Sequence, residues 1–455
     1  MNDANVANYA MTTEEEREEY LHSDIINFYF GPDGEPEWGF SMQCNALYKI
    51  DIQNATADYV SSVLQEKSIP WAYCAPLKIK NRLLLCPIKA QSFAVYDIDS
   101  GNWAIIPVPA DAAPEKNTHT AFGGAINCGD CLLIGPGTSG VFAKYDIESG
   151  EFSFYDHWIN KFKHHVININ GALLFGSCYI DGKMYLASPQ CNVVTELNPK
   201  DMSFVLHQAG KKGNKYCGIA HAKDSFWLIK YPAPGQNDMG SALVEWCPDT
   251  GKCVEHADLP VTRDECRTGQ AFSYIIAACD DLYLFPWHSD NIIKFDPTTK
   301  KSEIFKLKPE FSYFESKGKY YDWGRGAAMP WVVPEDTAPY PWKKVNSGSP
   351  IVYIQSPTDY SLIKLNLSTG EYTKKKWRVN GTEHLLIKIY NPDTESFTPR
   401  RDTVFYSLGH FVDDLVSGKL PAVDIEERDH FRSLHANGDC LTGKNIYECV
   451  KKLVL

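Results

Sequence analysis

The chain has 455 residues and a formal net charge of −12, with 57 acidic against 45 basic side chains. An acidic balance of this size argues against nucleic acid or an anionic membrane surface as the general partner, because both would repel it. The first 24 residues contain several Glu and no apolar core segment, and no stretch of the sequence reaches the roughly 18 apolar residues of a membrane helix. We therefore expect a cytoplasmic protein with neither nucleic acid nor membrane as its partner.

Most of the 14 cysteines lie within short apolar segments that are typical of strands. Buried thiols of this kind behave as small hydrophobic groups, and without an export signal we expect them to be reduced. The one close pair is Cys128-Gly-Asp-Cys131, which lies at a predicted hairpin turn. A C-x2-C pair without a second pair is a weak zinc signal. We interpret both cysteines as structural and expect neither a metal nor a cofactor.

A short hairpin phrase recurs along the chain at intervals near 50 residues. Each copy has an apolar residue, then Asp, Asn or Cys, then a turn rich in Ser, Thr, Pro and Gly. The second positions of the copies are Asp51, Asp97, Asp146, Asn198, Cys247, Asp296 and Asn366. A hairpin with this period is typical of a β-propeller, in which each unit forms one blade. We predict an all-β fold of seven four-stranded blades over residues 25–398, after an acidic segment at 1–24.

The unit at residues 122–155 illustrates the strand pattern of one blade. The four strands of a blade are here called a to d, from the centre of the ring outward. Four extended runs are separated by Gly, Pro and Asp, which are strand and turn signals. In several units strand a opens with an aromatic residue and then small residues, as in Phe122-Gly-Gly. Small side chains are expected there because the inner strands converge on the axis of the ring.

Both ends of the predicted ring are less regular than its middle. Ile25–Phe30 is expected to be strand b of the first blade, and we find no strand a before it. The alternating segment 385–390 is predicted to supply the missing strand, so that both termini share one blade and close the ring. The long interval before Asn366 contains an aromatic-rich insertion at 306–348, in which Gly326–Met329 is predicted to be an inner strand.

Beyond residue 398 the period of the apolar residues changes from two to about 3.6. Residues 408–416 and 446–453 each carry an apolar stripe with helical spacing. We predict a C-terminal helical extension at 399–455 that docks on the propeller. The tail Gly438–Tyr447 is similar to tails found in bacterial surface-glycan gene clusters, which implies a bacterial source.

The unit at residues 126–152 resembles a kelch repeat. Kelch units share its length and its closing Tyr-Asp … Trp hairpin, which stands in the preceding unit as Tyr96-Asp97 and Trp103. The Gly-Gly doublet that follows strand b in kelch repeats is replaced here by pairs such as Gly135-Pro136. The resemblance implies a kelch-like seven-bladed propeller. It implies no particular chemistry, because propellers host many functions.

Propeller topology sorts the connections between strands onto two faces. The a-to-b and c-to-d turns share one face, here called the hairpin face; the d-to-a and b-to-c connections share the other, here called the connection face. The connections on the connection face are longer and more varied in sequence than those on the hairpin face, and they contain basic, aromatic and acidic residues. Guanidinium groups bind carboxylates through two parallel hydrogen bonds, and aromatic faces stack on sugar rings. Such a surface would suit an acidic sugar or another anion. The candidate ligand-binding residues are Arg325, Trp323, Trp287, His288, His119, His165, Arg267 and Lys215.

Three functions are compatible with this pattern. The first is a cytosolic binding or interaction propeller that recognises a small-molecule or glycan ligand, or a protein partner, over the connection face. The second is a carbohydrate-active lyase, with His119 or His288 as base, Tyr274 as acid and Arg325 as the clamp on the substrate carboxylate. The third is a structural subunit of an assembly. Because the sequence has no nucleophile elbow, P-loop, dinucleotide fingerprint or H-E-x-x-H, we favour the first and leave open whether the protein is an enzyme.

Overall fold

A computed structural model of the protein describes residues 27–30, 36–41, 46–63, 72–109, 122–138, 140–166, 173–174, 176–231, 242–261, 271–286, 291–308, 330–332, 351–355 and 362–380. The described residues all belong to the first of two compact units, Met1–Leu385. The second unit, Leu386–Leu455, contains the predicted C-terminal helices and lies outside the described residues.

The first four blades contain strands β1 to β16 in chain order. Blade 1 is formed by β1 (Asn27–Phe30), β2 (Pro36–Ser41), β3 (Ala46–Asp51) and β4 (Thr56–Ser62). Blade 2 is formed by β5 (Tyr73–Ile79), β6 (Arg82–Pro87), β7 (Ser92–Asp97) and β8 (Asn102–Pro107). Blade 3 is formed by β9 (Phe122–Asn127), β10 (Cys131–Pro136), β11 (Phe142–Asp146) and β12 (Phe152–Tyr155). Blade 4 is formed by β13 (Ser177–Ile180), β14 (Lys183–Ala187), β15 (Val193–Leu197) and β16 (Phe204–Gln208).

The last three blades continue the same order, and one further strand follows them. Blade 5 is formed by β17 (Lys215–Ala222), β18 (Ser225–Tyr231), β19 (Leu243–Trp246) and β20 (Cys253–His256). Blade 6 is formed by β21 (Phe272–Ala278), β22 (Asp281–Pro286), β23 (Ile293–Asp296) and β24 (Lys301–Ile304). Blade 7 is formed by β25 (Pro330–Val332), β26 (Ile351–Gln355), β27 (Leu362–Asn366) and β28 (Tyr372–Lys375), and β29 is Arg378–Asn380. One short helix, α1 (Ile159–Lys163), occurs among the described residues and connects blades 3 and 4.

The seven sheets confirm the predicted seven-bladed β-propeller of four-stranded blades. Within each blade the consecutive strands pair antiparallel, and apolar clusters fill the seams between neighbouring blades. The seam between blades 7 and 1 is filled by Tyr353, Leu362 and Trp377 packed against Tyr48 and its neighbours. Because the last blade packs on the first, the ring is closed.

Blade 1 corrects two sequence predictions. Asn27–Phe30 is the inner strand of this blade and not strand b, because it pairs only with β2 in its own sheet and lies against β5 of blade 2. Strand b is Pro36–Ser41, which the sequence analysis missed because Pro36 and Gly39 are weak strand signals. Residues 385–390, which were predicted to complete this blade, lie outside the described residues, and their pairing stays a prediction.

The C-terminal side of the ring reaches blade 1 through β29. This strand pairs parallel with the outer strand β4, with Arg378 opposite Thr56 and Asn380 opposite Asp58. The Arg378 N–H donates to the Ala55 carbonyl at 2.8 Å, and the Asn380 side-chain amide donates to Asp58 at 2.6 Å. The added strand covers an open sheet edge of blade 1.

The inner strand of blade 7 is β25, Pro330–Val332, which pairs with β26. This strand begins directly after the predicted position at 326–329, which lies outside the described residues. The predicted position has the small residues typical of the inner strands of other blades, whereas this strand contains Trp331 and Val332. The connection before it is described only to Lys308, which forms a parallel bridge with Glu371 at the start of the outer hairpin strand of blade 7.

The small residues of the inner strands allow neighbouring blades to approach closely near the axis. A Cβ atom added at Gly176 would lie 2.8 Å from the Cα atom of Gly218 in the next blade, and Gly176 has a φ of +80°. A Cβ atom at Gly218 would lie 2.9 Å from the Ile229 side chain. This confirms the prediction that strand a needs short side chains where blades 4 and 5 meet.

Candidate functional site

The hairpin face is built from turns whose polar side chains bond to their own backbone. In blade 6, Asp296 accepts hydrogen bonds from the N–H groups of Thr298 at 2.7 Å and Thr299 at 3.1 Å, and from the Thr299 hydroxyl at 2.7 Å. Asp146 of blade 3 accepts the corresponding bonds from Ser149. These bonds hold the pKa of both carboxyl groups below the usual value. Since such carboxylates are engaged inside the turns, we place the candidate site on the connection face.

The connection from blade 4 to blade 5, residues 209–214, is held by a set of buried hydrogen bonds. The Tyr216 hydroxyl donates to the Ala209 carbonyl at 2.8 Å, and the Tyr216 N–H donates to the Ser188 carbonyl at 2.8 Å. The Asn192 side-chain amide donates to the Gly210 carbonyl at 3.1 Å. These bonds tie the connection to the b-to-c connection of blade 4 and fix its backbone.

This connection presents basic side chains to solvent. Lys211 and Lys212 are exposed, and Lys215 is half-buried at the start of β17. Burial raises the pKa of the Cys191 thiol, and the nearby Lys215 ammonium offsets part of this rise. Residues 188–192 and 209–214 contain no Asp or Glu. These two segments of the connection face therefore contribute basic side chains and no acidic ones of their own.

The connection from blade 3 to blade 4 contains α1 and carries His165. The Trp158 indole donates to the Gly140 carbonyl at 2.8 Å, and Phe162 is fully buried in the seam between the two blades. The His165 N–H donates to the Phe162 carbonyl at 2.9 Å, so that His165 closes the turn after the helix and is half-buried. His164 and Lys163 next to it are exposed. The described stretch 156–166 carries one acidic residue, Asp156.

Tyr274, the proposed acid of the lyase hypothesis, lies on the inner strand β21. Burial, together with the nearby Cys217 sulfur, raises the pKa of its phenol well above the usual value. The Cys217 thiol donates to the Phe272 carbonyl at 3.4 Å on the same inner strand. The Tyr274 phenol therefore keeps its proton and is neutral at physiological pH.

The structure describes three of the nine predicted site residues, namely Tyr274, His165 and Lys215. They lie on blade 6, before blade 4 and at the start of blade 5, respectively. The other six lie outside the described residues: His119, Arg267, Trp287, His288, Trp323 and Arg325. The predicted convergence of His119 or His288 with Arg325 stays a prediction, and so does the lyase hypothesis that needs it. Sequence reasoning gave no chemical role to Cys128 and Cys131, although the C-x2-C spacing was the signal for them.

The described part of the chain has neither a metal-binding cluster nor a membrane-spanning helix. No group of three or more His, Cys, Asp or Glu side chains there is arranged to hold a metal ion. No helix within the described ranges has the length and the apolar character of a membrane crossing.

Comparisons with known proteins leave the family open. No protein-family model matches the chain, and no curated protein matches it. One similar solved structure, titled "Crystal Structure of Mitotic Checkpoint Complex", has a TM-score of 0.40 and 12% sequence identity, over 66% of this chain and 74% of that chain. A second, the computationally designed Ika8 protein, has a TM-score of 0.36 and 9% identity, over 68% of this chain and 87% of that chain. At these TM-scores neither likeness bears on function; the fold rests on the seven sheets, and the kelch resemblance stays a prediction.

Proposed function

We propose that the protein is a binding propeller that recognises an acidic carbohydrate over its connection face. The observation that supports this most directly is the rigid connection at 209–214, which holds the exposed Lys211 and Lys212 beside Lys215 with no acidic residue among them. A fixed backbone lowers the entropy that a ligand must overcome to order the site. Propellers commonly serve as scaffolds whose loops carry the binding groups.

The chemistry of the ligand follows from the charge of this surface. Ammonium groups attract carboxylates as compact point charges, and their effect is strongest when no acid lies beside them. The sequence predicts further residues on the same face, which would add guanidinium groups and stacking surfaces: Arg325, Trp323, Trp287, His288, His119 and Arg267. A sugar that carries carboxylates, such as a uronate oligomer, is the ligand class that uses both kinds of group.

Isothermal titration calorimetry with trigalacturonate and with the neutral maltotriose tests this proposal. We expect trigalacturonate to bind, with an affinity that falls as salt is added, and maltotriose not to bind. Replacing Lys211→Glu and Lys212→Glu together should weaken trigalacturonate binding at least about tenfold, which corresponds to about 1.4 kcal/mol.

A matched control replaces two lysines by glutamate on the hairpin face, so that the net charge changes by the same amount. Lys200 and Lys252 are exposed in c-to-d turns of blades 4 and 5 on the hairpin face. The double variant Lys200→Glu and Lys252→Glu should bind trigalacturonate like the wild type. No binding of trigalacturonate, or equal weakening in both double variants, would contradict the proposal. Tighter binding of polyglutamate than of trigalacturonate would instead assign the surface to an acidic protein partner.

A further inference from the structure

Two cysteines close the a-to-b turn of blade 3. Leu132 pairs with Asn127 in the antiparallel ladder between β9 and β10, so Cys131 stands opposite Cys128. The Cys128 N–H donates to the Cys131 carbonyl at 2.8 Å, and both side chains carry thiols. The corresponding positions of the other described a-to-b turns hold Ile79 and Arg82, Ile180 and Lys183, Ala222 and Ser225, and Ala278 and Asp281. Among these turns, blade 3 alone has a cysteine pair.

The separation of the two backbones at this position suits a disulfide bond. Directly opposed residues of an antiparallel hairpin project from the same face of the sheet. The Cα atoms of a hydrogen-bonded pair are about 5.5 Å apart, inside the range of about 4.4 to 6.8 Å that a disulfide spans. The turn between them contains Gly129, whose φ of +101° is in the left-handed region. A glycine there lets the turn adjust when the two sulfur atoms move together.

The two cysteine residues differ in how much of their surface is exposed. Cys128 is half-buried, whereas Cys131 is only 2% exposed. The Cys128 thiol donates a hydrogen bond to the Cys131 sulfur, which lowers the pKa of Cys131 and raises that of Cys128. The Lys144 ammonium nearby favours the negative charge on the pair, while Asp130 opposes it. The hydrogen bond between the two sulfur atoms therefore favours negative charge on Cys131 over negative charge on Cys128.

We propose that Cys128 and Cys131 are a redox-active dithiol, which low-molecular-weight disulfides such as oxidised glutathione convert to an intramolecular disulfide. In the first step Cys128, the more exposed residue, loses its proton to solvent, and its thiolate attacks one sulfur of oxidised glutathione. The glutathione S–S bond breaks, a Cys128–glutathione disulfide forms, and one glutathione thiolate leaves. This thiolate takes the proton from Cys131. The Cys131 thiolate then attacks the Cys128 sulfur and releases the second glutathione, so the protein loses two electrons and oxidised glutathione gains them.

Peptide mapping after incubation of the full chain in glutathione buffers tests the proposal. Trypsin cleaves after Lys116 and Lys144, so one peptide, 117–144, contains both cysteines and no other. We expect this peptide to lose two hydrogens and to resist alkylation once oxidised glutathione is in excess, and to recover both thiols when reduced glutathione is added. The variant Cys131→Ser should accumulate one glutathione on Cys128, whereas Cys128→Ser should remain unmodified, because Cys131 is enclosed.

Cys279 provides the control for access of the oxidant. It lies in the a-to-b turn of blade 6, on the same face, and has no second cysteine across its turn. It should acquire glutathione without forming an internal disulfide. The proposal is overturned if peptide 117–144 keeps two alkylatable thiols while Cys279 is modified, or if the linked peptide forms only in urea. It is also overturned if glutathione attaches to Cys131 in the Cys128→Ser variant as readily as to Cys128 in Cys131→Ser.

Discussion

Glu196 of β15 shows how a single charged side chain stabilises a blade. Its carboxylate lies 2.5 Å from Lys183 Nζ and 2.8 Å from His207 Nε2, on the two strands beside it. Burial raises the pKa of Glu196, but the hydrogen bonds of these two partners hold it below the usual value. Blade 5 repeats the arrangement at the same strand positions, where Glu245 lies 3.6 Å from His256. The repeat thus extends to polar pairs that the hairpin phrase does not contain.

The depressed pKa of Glu196 predicts a pH-dependent contribution to stability. Its contribution is present above the ordinary Glu pKa and is lost as the pH falls through the lower folded-state pKa. The variant Glu196→Gln should lose about 1 kcal/mol of unfolding free energy at pH 7. The loss should shrink as the pH falls below about 4. Urea unfolding from pH 3 to 7 measures it. Glu303→Gln, whose carboxylate is 70% exposed, is the control and should change stability little at any pH; a pH-independent loss in Glu196→Gln would contradict the assignment.

At the scale of the element, the c-to-d hairpin is the structural unit that recurs in every blade of the propeller. Its turn is closed by hydrogen bonds that an Asp or Asn side-chain oxygen accepts from N–H groups two or three residues ahead, as at Asp296 and Asn366. Because all partners lie within four residues, the turn forms from local sequence alone. This is why the sequence analysis found these turns in blades 1 to 7.

The turn of blade 6 offers a direct test of this local bonding. Asp296→Ala removes the acceptor of three hydrogen bonds and should lower the melting temperature by about 2 °C. Asp296→Asn should retain most of the stability, because Asn366 accepts the corresponding N–H bonds in blade 7. Differential scanning calorimetry of the two variants decides between the local bonds and the charge. An equal loss in both would show that the charge of Asp296 matters more than the turn.

At the scale of the whole molecule, the ring depends on contacts between residues that are far apart in the chain. The Asn380 side chain bonds Asp58 across a separation of 322 residues, and Trp377 is buried between blades 7 and 1. The seam between blades 6 and 7 is also joined by a hydrogen bond, from the Tyr283 hydroxyl to the Leu367 carbonyl at 2.9 Å. Closure pairs the last part of the described chain with the first and removes one open sheet edge.

Trp377 is the residue whose loss should open the ring most readily. Its side chain is 2% exposed and fills the seam with Tyr353 and Leu362. Trp377→Ala should lower the free energy of unfolding by about 3 kcal/mol or more, because it leaves a large cavity. Trp377→Phe should recover part of this, since it refills some of the volume. Guanidinium unfolding of both variants measures the effect, and a loss below about 1 kcal/mol in Trp377→Ala would show that the seam is closed elsewhere.

The candidate site was predictable only in part. The charge pattern singled out Lys215, which lies at the start of β17, directly after the connection 209–214 that carries Lys211 and Lys212. The close spacing of Cys128 and Cys131 was visible in the sequence, yet their redox pairing depends on a strand register that puts both sulfur atoms on one face. Distances between different blades do not follow from spacing in the chain, so a convergence of His119, His288 and Arg325 could not be derived.

The amino-acid sequence by itself determined the number of blades, the c-to-d turns and the need for small residues near the axis, because each of these depends on neighbours within one repeat. Only the tertiary structure decided the composition of blade 1, where β1 is the inner strand and β29 joins the outer edge. That choice depends on the packing of Trp377 and on hydrogen bonds between the two ends of the described chain. Such long-range contacts leave no periodic signal in the sequence, since their partners share no local pattern.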